Sequence, residues 1–286
     1  MHGLSKERAR HSCTPVHYRC STMQGGYTTE TRMRVWDINP GYLNRQSLLG
    51  EHREIHAVVS ILTKAKQGYA RHPETRRWSK ALRALQRRHG LVVSEMELRG
   101  YHHRSPVRAS GAQEWPEAFI DTPGRQFTML HTKYRNRALG RIPLPRTLQQ
   151  LWAQHKYSVL ARDPEYYHSI GTLVATQNSG TSFEQLAREL VEVLRMPPAE
   201  GRLVNALQHM WGYVSPFARL TATDWQRPGA VLMAIRALAS THQIRYLLES
   251  TALSELSVWM SDVETEPESI TPAGHGSQGA GAGGQS

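Results

Sequence analysis

From Asn44 onward the apolar residues of this chain recur at intervals of three and four, and no alternating apolar–polar run of any length breaks the pattern. Intervals of that size stack side chains on one face of a helix, whereas a half-buried strand needs a period of two. The pattern therefore predicts an all-α protein. Asn44 is placed to cap a helix running to about Thr63, with Leu48, His52, Ile55, Val59 and Leu62 on its inner face and Glu51, Glu54 and Val58 along one flank. Gly68 and Pro73 mark the break after it. A second helix is expected from about Glu74 to Leu98, ended by Gly100. Further on, Thr147, the Asp163-Pro164 pair and Ser182 with Gln185 read as helix starts. Helices are also expected from Arg202 to about Tyr213 and after Pro228, the last carrying Val231, Ile235 and Leu238.

Proline and glycine divide the chain. Pro106, Pro116, Pro123, Gly140, Pro143 and Pro145 fall between the two helical stretches. The expected organisation is two helical domains, 33–110 and 147–260, joined by a Pro-rich connector at 111–146. Trp115, Phe119 and Phe127 are poor linker residues, so part of the connector is expected to pack. Residues 1–32 are polar and lack apolar periodicity. They read as a disordered leader, which makes Met33 the expected working start. Residues 261–286, acidic and then rich in Gly, Ser and Gln, read as a disordered tail. His11, Cys13, His17 and Cys20 lack the paired spacing of a zinc site. Cys13 and Cys20 are the only cysteines, so a disulfide scaffold is excluded and a reducing cytoplasm is the expected compartment. No apolar run approaches the length of a membrane span.

Charge narrows the partner. The formal net charge is +11, and residues 33–110 hold 15 Lys/Arg against 6 Asp/Glu. A local basic field of that size favours a polyanion, most often nucleic acid, over a merely solvated surface. On the second expected helix Arg76, Lys80, Arg83 and Arg87 recur at steps of four, three and four, opposite Trp78, Leu82, Leu85, Val92 and Met96. Like charges at that spacing repel unless something anionic lies nearby. The stripe is therefore expected to hold a phosphate backbone. His52 and His56 have metal-ligand spacing, but only His52 falls on the inner face, so neither a metal nor a cofactor is expected.

Arg34-Val35-Trp36-Asp37, and then Arg45-Gln46-Ser47-Leu48-Leu49-Gly50-Glu51-His52-Arg53-Glu54, resemble the opening of the pyrimidine-dimer DNA glycosylases of the endonuclease V type. Leu85-Gln86-Arg87-Arg88 through Arg99-Gly100 resembles that family's third helix, and the resemblance covers residues 33 to about 105. Ser47 and Ala57 depart from it, standing where the phage member has a histidine and a basic residue. The resemblance implies a glycosylase with AP-lyase activity on double-stranded DNA. A chain-terminal amine attacks the sugar and forms a Schiff base, and a glutamate of the first helix assists. Carried onto this sequence, the amine is that of Met33 and the carboxylate is Glu54, 21 residues later. An α-amine, with a pKa of about 7.7–8.0, is partly free base at neutral pH, where a lysine near 10.4 is not. Glu54 would stabilise the cationic sugar and move protons in the elimination, and Arg53 would grip a phosphate. Arg34 and Arg45 join Arg76, Lys80, Arg83 and Arg87 as expected DNA contacts. Lys64 and Lys66 are fallback nucleophiles. A cytoplasmic, nucleoid-associated monomer is expected.

The second half carries His155-Lys156-Tyr157 and Gly201-Arg202-x-x-Asn205-x-x-Gln208-His209-x-x-Gly212-Tyr213. These words, within about 141–250, resemble a helical bacterial domain of unknown function, found fused to thiouracil-desulfidase-like domains or encoded beside photolyase. Arg202, Asn205 and His209 share one helix face, which suits either a ligand grip or a buried polar network. Two alternatives to the repair enzyme follow. One is a non-catalytic nucleic-acid-binding protein. The other is a nucleotide or modified-base enzyme whose site comprises His155, Lys156, Tyr157, Arg202, Asn205, Gln208 and His209.

Overall fold

A computed structural model of the chain describes residues 33–110, 114–176, 180–218 and 225–263. The expected leader with its two cysteines, and the tail beyond 263, lie outside these residues. Among the described residues there are eleven α-helices and no strand: α1 Arg45–Thr63, α2 Pro73–Trp78, α3 Leu82–Leu98, α4 Pro123–Lys133, α5 Leu148–Leu160, α6 Pro164–Ala175, α7 Phe183–Leu194, α8 Glu200–Trp211, α9 Pro228–Thr241, α10 Arg245–Leu248 and α11 Ala252–Val263. None is long and apolar enough to cross a membrane.

The helix starts follow local chemistry. The Asn44 side chain accepts from Ser47 N, Thr147 from Gln150 N, Asp163 from Tyr166 N and Ser182 from Gln185 N. Each cap satisfies an amide that has no partner within its own helix. The end of α3 is equally local. Gly100 takes φ +80, its amide donates to Glu97 O, and Tyr101 N donates to Met96 O. That is the left-handed closure for which glycine is suited.

The expected helix from Glu74 to Leu98 is two helices, α2 and α3, broken at residues 79–81 with neither glycine nor proline there. Trp78 Nε1 donates to Glu74 Oε2 at 3.1 Å, and both residues are buried. On α2 Glu74 takes up Val35 N, and on α3 Arg88 reaches Glu51 of α1.

The connector is likewise structured. It contains α4, whose Phe127 and Leu130 are buried and which packs on α7. The two apolar cores cut across the sequence division at 110 and 147. One gathers residues from Met33 to Val191, contributed by α1–α7 and the stretch ahead of α1. The other joins α5 to α8, α9, α10 and α11. Helix α5 serves both, giving Leu151, Trp152 and Val159 to the first and Tyr157 and Leu160 to the second. Contacts gather the described residues from 33 to 263 into one unit, and α11 packs along α3. Periodicity identifies which face of a helix is apolar, not which helix covers it.

Buried ion pairs, most of them between distant stretches, run through the described residues. Glu51 on α1 meets Arg88 on α3 at 2.7 Å. Glu95 meets Arg99 at 2.7 Å and Arg141 at 2.6 Å, and Glu255 meets Arg162 at 3.0 Å. Asp37 pairs with Arg77 and, at 2.7 Å, with Arg195. Such pairs add little net stability, but stranding one member is costly, so each specifies its partner.

Candidate active site and histidine cluster

Ahead of α1, residues 33–39 have no regular structure and lead into a 3-10 turn at Pro40–Tyr42, and side chains take up amides of the irregular part. Val35 N donates to Glu74 Oε1 at 3.2 Å, Trp36 N to Glu51 Oε1 at 2.9 Å, and Asp37 N to Gln126 Oε1 at 2.9 Å. Arg88 closes the arrangement by donating to Ile38 O at 2.8 Å. Residues from α1, α2, α3 and α4 thus fix one extended segment, and Met33 at its head is buried. Burial pushes the Glu74 carboxyl up to about 7 against the opposing pull of Arg77. Burial also raises Glu51, against Arg88.

Glu54 lies one turn beyond Glu51 on the same flank of α1. It is half-buried, and burial raises its pKa while the neighbouring Arg53 guanidinium opposes the rise. Arg53 itself is exposed, as are Arg45, Arg76, Lys80 and Arg83, and no ion pair engages these five among the described residues. Two expected DNA contacts are engaged elsewhere. Arg34 pairs with Asp121 at 2.5 Å and lies over the Trp36 ring. Arg87 lies 4.5 Å from the Trp259 ring centroid and donates to Val258 O at 2.7 Å. The stripe was expected to hold a phosphate backbone along its whole length, but α11 covers it at Arg87 and leaves Arg83 exposed. Ser47 is buried and Ala57 exposed.

On the other flank of α1 the structure assembles a group that periodicity set aside. His52 and His56 meet His89 of α3 and His103 of the segment after Gly100. One ligand nitrogen from each of the four lies within 4.8 Å of the others. His89 Nε2 is 3.3 Å from His52 Nε2 and 3.2 Å from His56 Nε2. Burial first, and then the neighbouring imidazoles, push His52 down to about 4 and His89 to about 3, and lower His56. These three are therefore neutral at pH 7, the form in which imidazole binds metal. The expectation of no metal took His56 as lying outside the packed face. The i,i+4 pair was the only sequence signal, because His89 and His103 are brought in by tertiary packing.

The candidate residues of the second half do not form one group. His155 is buried, with Nδ1 2.8 Å from Leu151 O and 3.3 Å from the Tyr42 hydroxyl, and burial holds it at about 4. Lys156 lies 4.8 Å from both the Tyr157 and Tyr246 rings, at the edge of a cluster that includes Tyr213. Arg202, Gln208 and His209 are exposed on α8, Asn205 is half-buried, and Arg202 donates to Arg162 O. Helix α8 presents its polar residues outward while Leu203, Ala206, Leu207 and Met210 bury the other face.

Residues 33–109 match the family model of the pyrimidine dimer DNA glycosylases. The match takes in Met33, Arg53, Glu54, the exposed basic residues and all four clustered histidines. Residues 156–226 match a second family model, that of a protein of unknown function. It takes in Lys156, Tyr157 and the α8 residues. Neither a curated protein nor a solved structure matches the chain.

Proposed function

We propose that the glycosylase-like region excises pyrimidine dimers or related lesions from double-stranded DNA, with Glu54 as its proton-transfer carboxylate and an amine as its nucleophile. The observation that carries this reading is the anchoring of Trp36 N on Glu51, one helical turn before Glu54. That contact ties the segment headed by Met33 to the helix that carries Glu54. Half-burial and a raised pKa suit a carboxyl that must both hold and give up a proton. The exposed Arg45, Arg53, Arg76, Lys80 and Arg83 supply cations for the phosphate backbone. Extruding a damaged base costs a few kcal/mol, which backbone contacts of this kind offset.

In a chain running on from Met1 the Met33 nitrogen is an amide, so the mechanism requires an end at Met33, from initiation or from cleavage. The exposed Lys64 and Lys66 are the substitutes. The test compares full-length protein with protein beginning at Met33, each incubated with abasic or dimer-containing duplex and borohydride. A covalent adduct is expected with the Met33 form, and Glu54→Gln should abolish it. No adduct with either form, or one indifferent to Glu54→Gln, refutes the proposal. Salt-dependent duplex binding without strand cleavage would instead identify a binding protein.

A further inference from the structure

The four clustered histidines are not part of the glycosylase reading. His52 and His56 each lie two residues from Glu54, about 200° round the helix, so the carboxyl and the imidazoles leave opposite flanks of α1. The imidazoles come from three separate stretches of chain: α1, α3 and the irregular segment after Gly100. All four ligand nitrogens fall within 4.8 Å of one another, and two of the separations are those of a coordination shell. A tetrahedron whose corners lie 2.0–2.1 Å from its centre has edges of about 3.3 Å, and His89 Nε2 lies 3.3 Å from His52 Nε2 and 3.2 Å from His56 Nε2.

Hydrogen bonding alone leaves the group unsatisfied. A neutral imidazole nitrogen carries either one proton or one lone pair, so His89 Nε2 can pair fully with His52 or with His56, not with both. His103 Nε2 is buried with no hydrogen-bond partner. Converging lone pairs of this kind are what a cation satisfies.

We propose that His52, His56, His89 and His103 bind one zinc ion as a closed structural site. Imidazole is a suitable ligand for zinc, and four protein ligands leave no position open to substrate. The His56 ring is also hydrogen-bonded to the Ser105 backbone, the kind of outer contact that fixes the orientation of a ligand. The ion ties residues 101–110 to α1 and α3. That segment has no regular structure, and Val107 is its only buried residue, so apolar packing alone holds it weakly.

The experiment uses the full chain, equilibrated with zinc chloride and desalted. One zinc per chain is expected by plasma mass spectrometry, and Tm should rise with zinc concentration, since the ion binds only the folded arrangement. His103→Ala and His89→Gln should each cut the retained zinc to a small fraction and abolish the Tm response. His168→Ala, exposed and outside the cluster, should leave both intact. Cobalt(II) bound in place of zinc should show the visible bands of a tetrahedral nitrogen site, absent from His103→Ala. His103 lies outside the helices, so that variant carries the test if His89→Gln fails to fold. Helical protein retaining far less than one zinc per chain would overturn the proposal. So would full retention by both variants, which puts the ion elsewhere, Cys13 and Cys20 included. Either result stands independently of whether the protein cleaves DNA.

Discussion

Replacing Arg88 with methionine should cost far more than one surface ion pair, and the reason is the carboxylate left behind. Arg88 is 1% exposed and Glu51 2% exposed. The guanidinium donates to Glu51 Oε1 at 2.7 Å, to Glu51 Oε2 at 2.9 Å and to Ile38 O at 2.8 Å. Methionine fills much of the volume but returns none of these donors, and Glu51 keeps only Trp36 N. Stranding one member of a buried pair typically costs about 3–5 kcal/mol. Urea or thermal unfolding at pH 7.5 should show a loss of that order. The sign of its pH dependence is fixed. Burial already raises Glu51 above its ordinary value, and Arg88 is the largest influence opposing the rise. Without Arg88 the folded pKa climbs further, so the folded state of the variant binds the extra proton and is favoured as pH falls. The deficit should therefore shrink toward pH 5. Changing both partners, Glu51→Gln with Arg88→Met, should recover a measurable part of the loss, because no charge is then stranded. Hydrogen exchange at the Trp36 amide should accelerate in the single variant. A loss under about 1 kcal/mol, or one no smaller at pH 5 than at pH 7.5, would refute the argument that Arg88 holds a buried charge.

Other expectations are as direct. His155 is held at about 4 by burial, below its unfolded value near 6.5. Its contribution is complete above pH 6.5 and is lost as pH falls toward 4, by about 3 kcal/mol, and that part of the acid sensitivity should be missing from His155→Gln. Gly140→Ala should destabilise by about 1–3 kcal/mol in urea melts, because its Cβ would sit 2.5 Å from Gly41 O and the Tyr42 backbone. Replacing Arg76, Lys80 and Arg83 together with alanine should leave the unfolding midpoint nearly unchanged. It should also lower the salt slope of duplex binding by roughly one for each phosphate these side chains neutralise. Full affinity at low salt with an unchanged slope would show that these residues do not touch DNA.

Much of the helical outline needed no tertiary information. Asn44, Thr147, Asp163 and Ser182 cap their helices through their own side chains, and Gly100 ends α3 by its own backbone freedom. These are contacts within a few residues, so the sequence determines them. The Arg53-Glu54 word is legible for the same reason, being contiguous on one helix. The break between α2 and α3 was not legible, because Ser79-Lys80-Ala81 contains no breaker. Nor was the fate of Arg87, whose exposure depends on where α11 settles. The histidine group shows the limit most clearly. The His52–His56 pair is written in the sequence at helical spacing. His89 and His103 lie 33 and 47 residues beyond His56, and only the packing of α3 and of the segment after Gly100 against α1 brings them within reach. Short-range hydrogen bonds and periodicity are encoded by neighbours along the chain. Which faces meet, and therefore which distant side chains share one site, is decided by the packing of the whole.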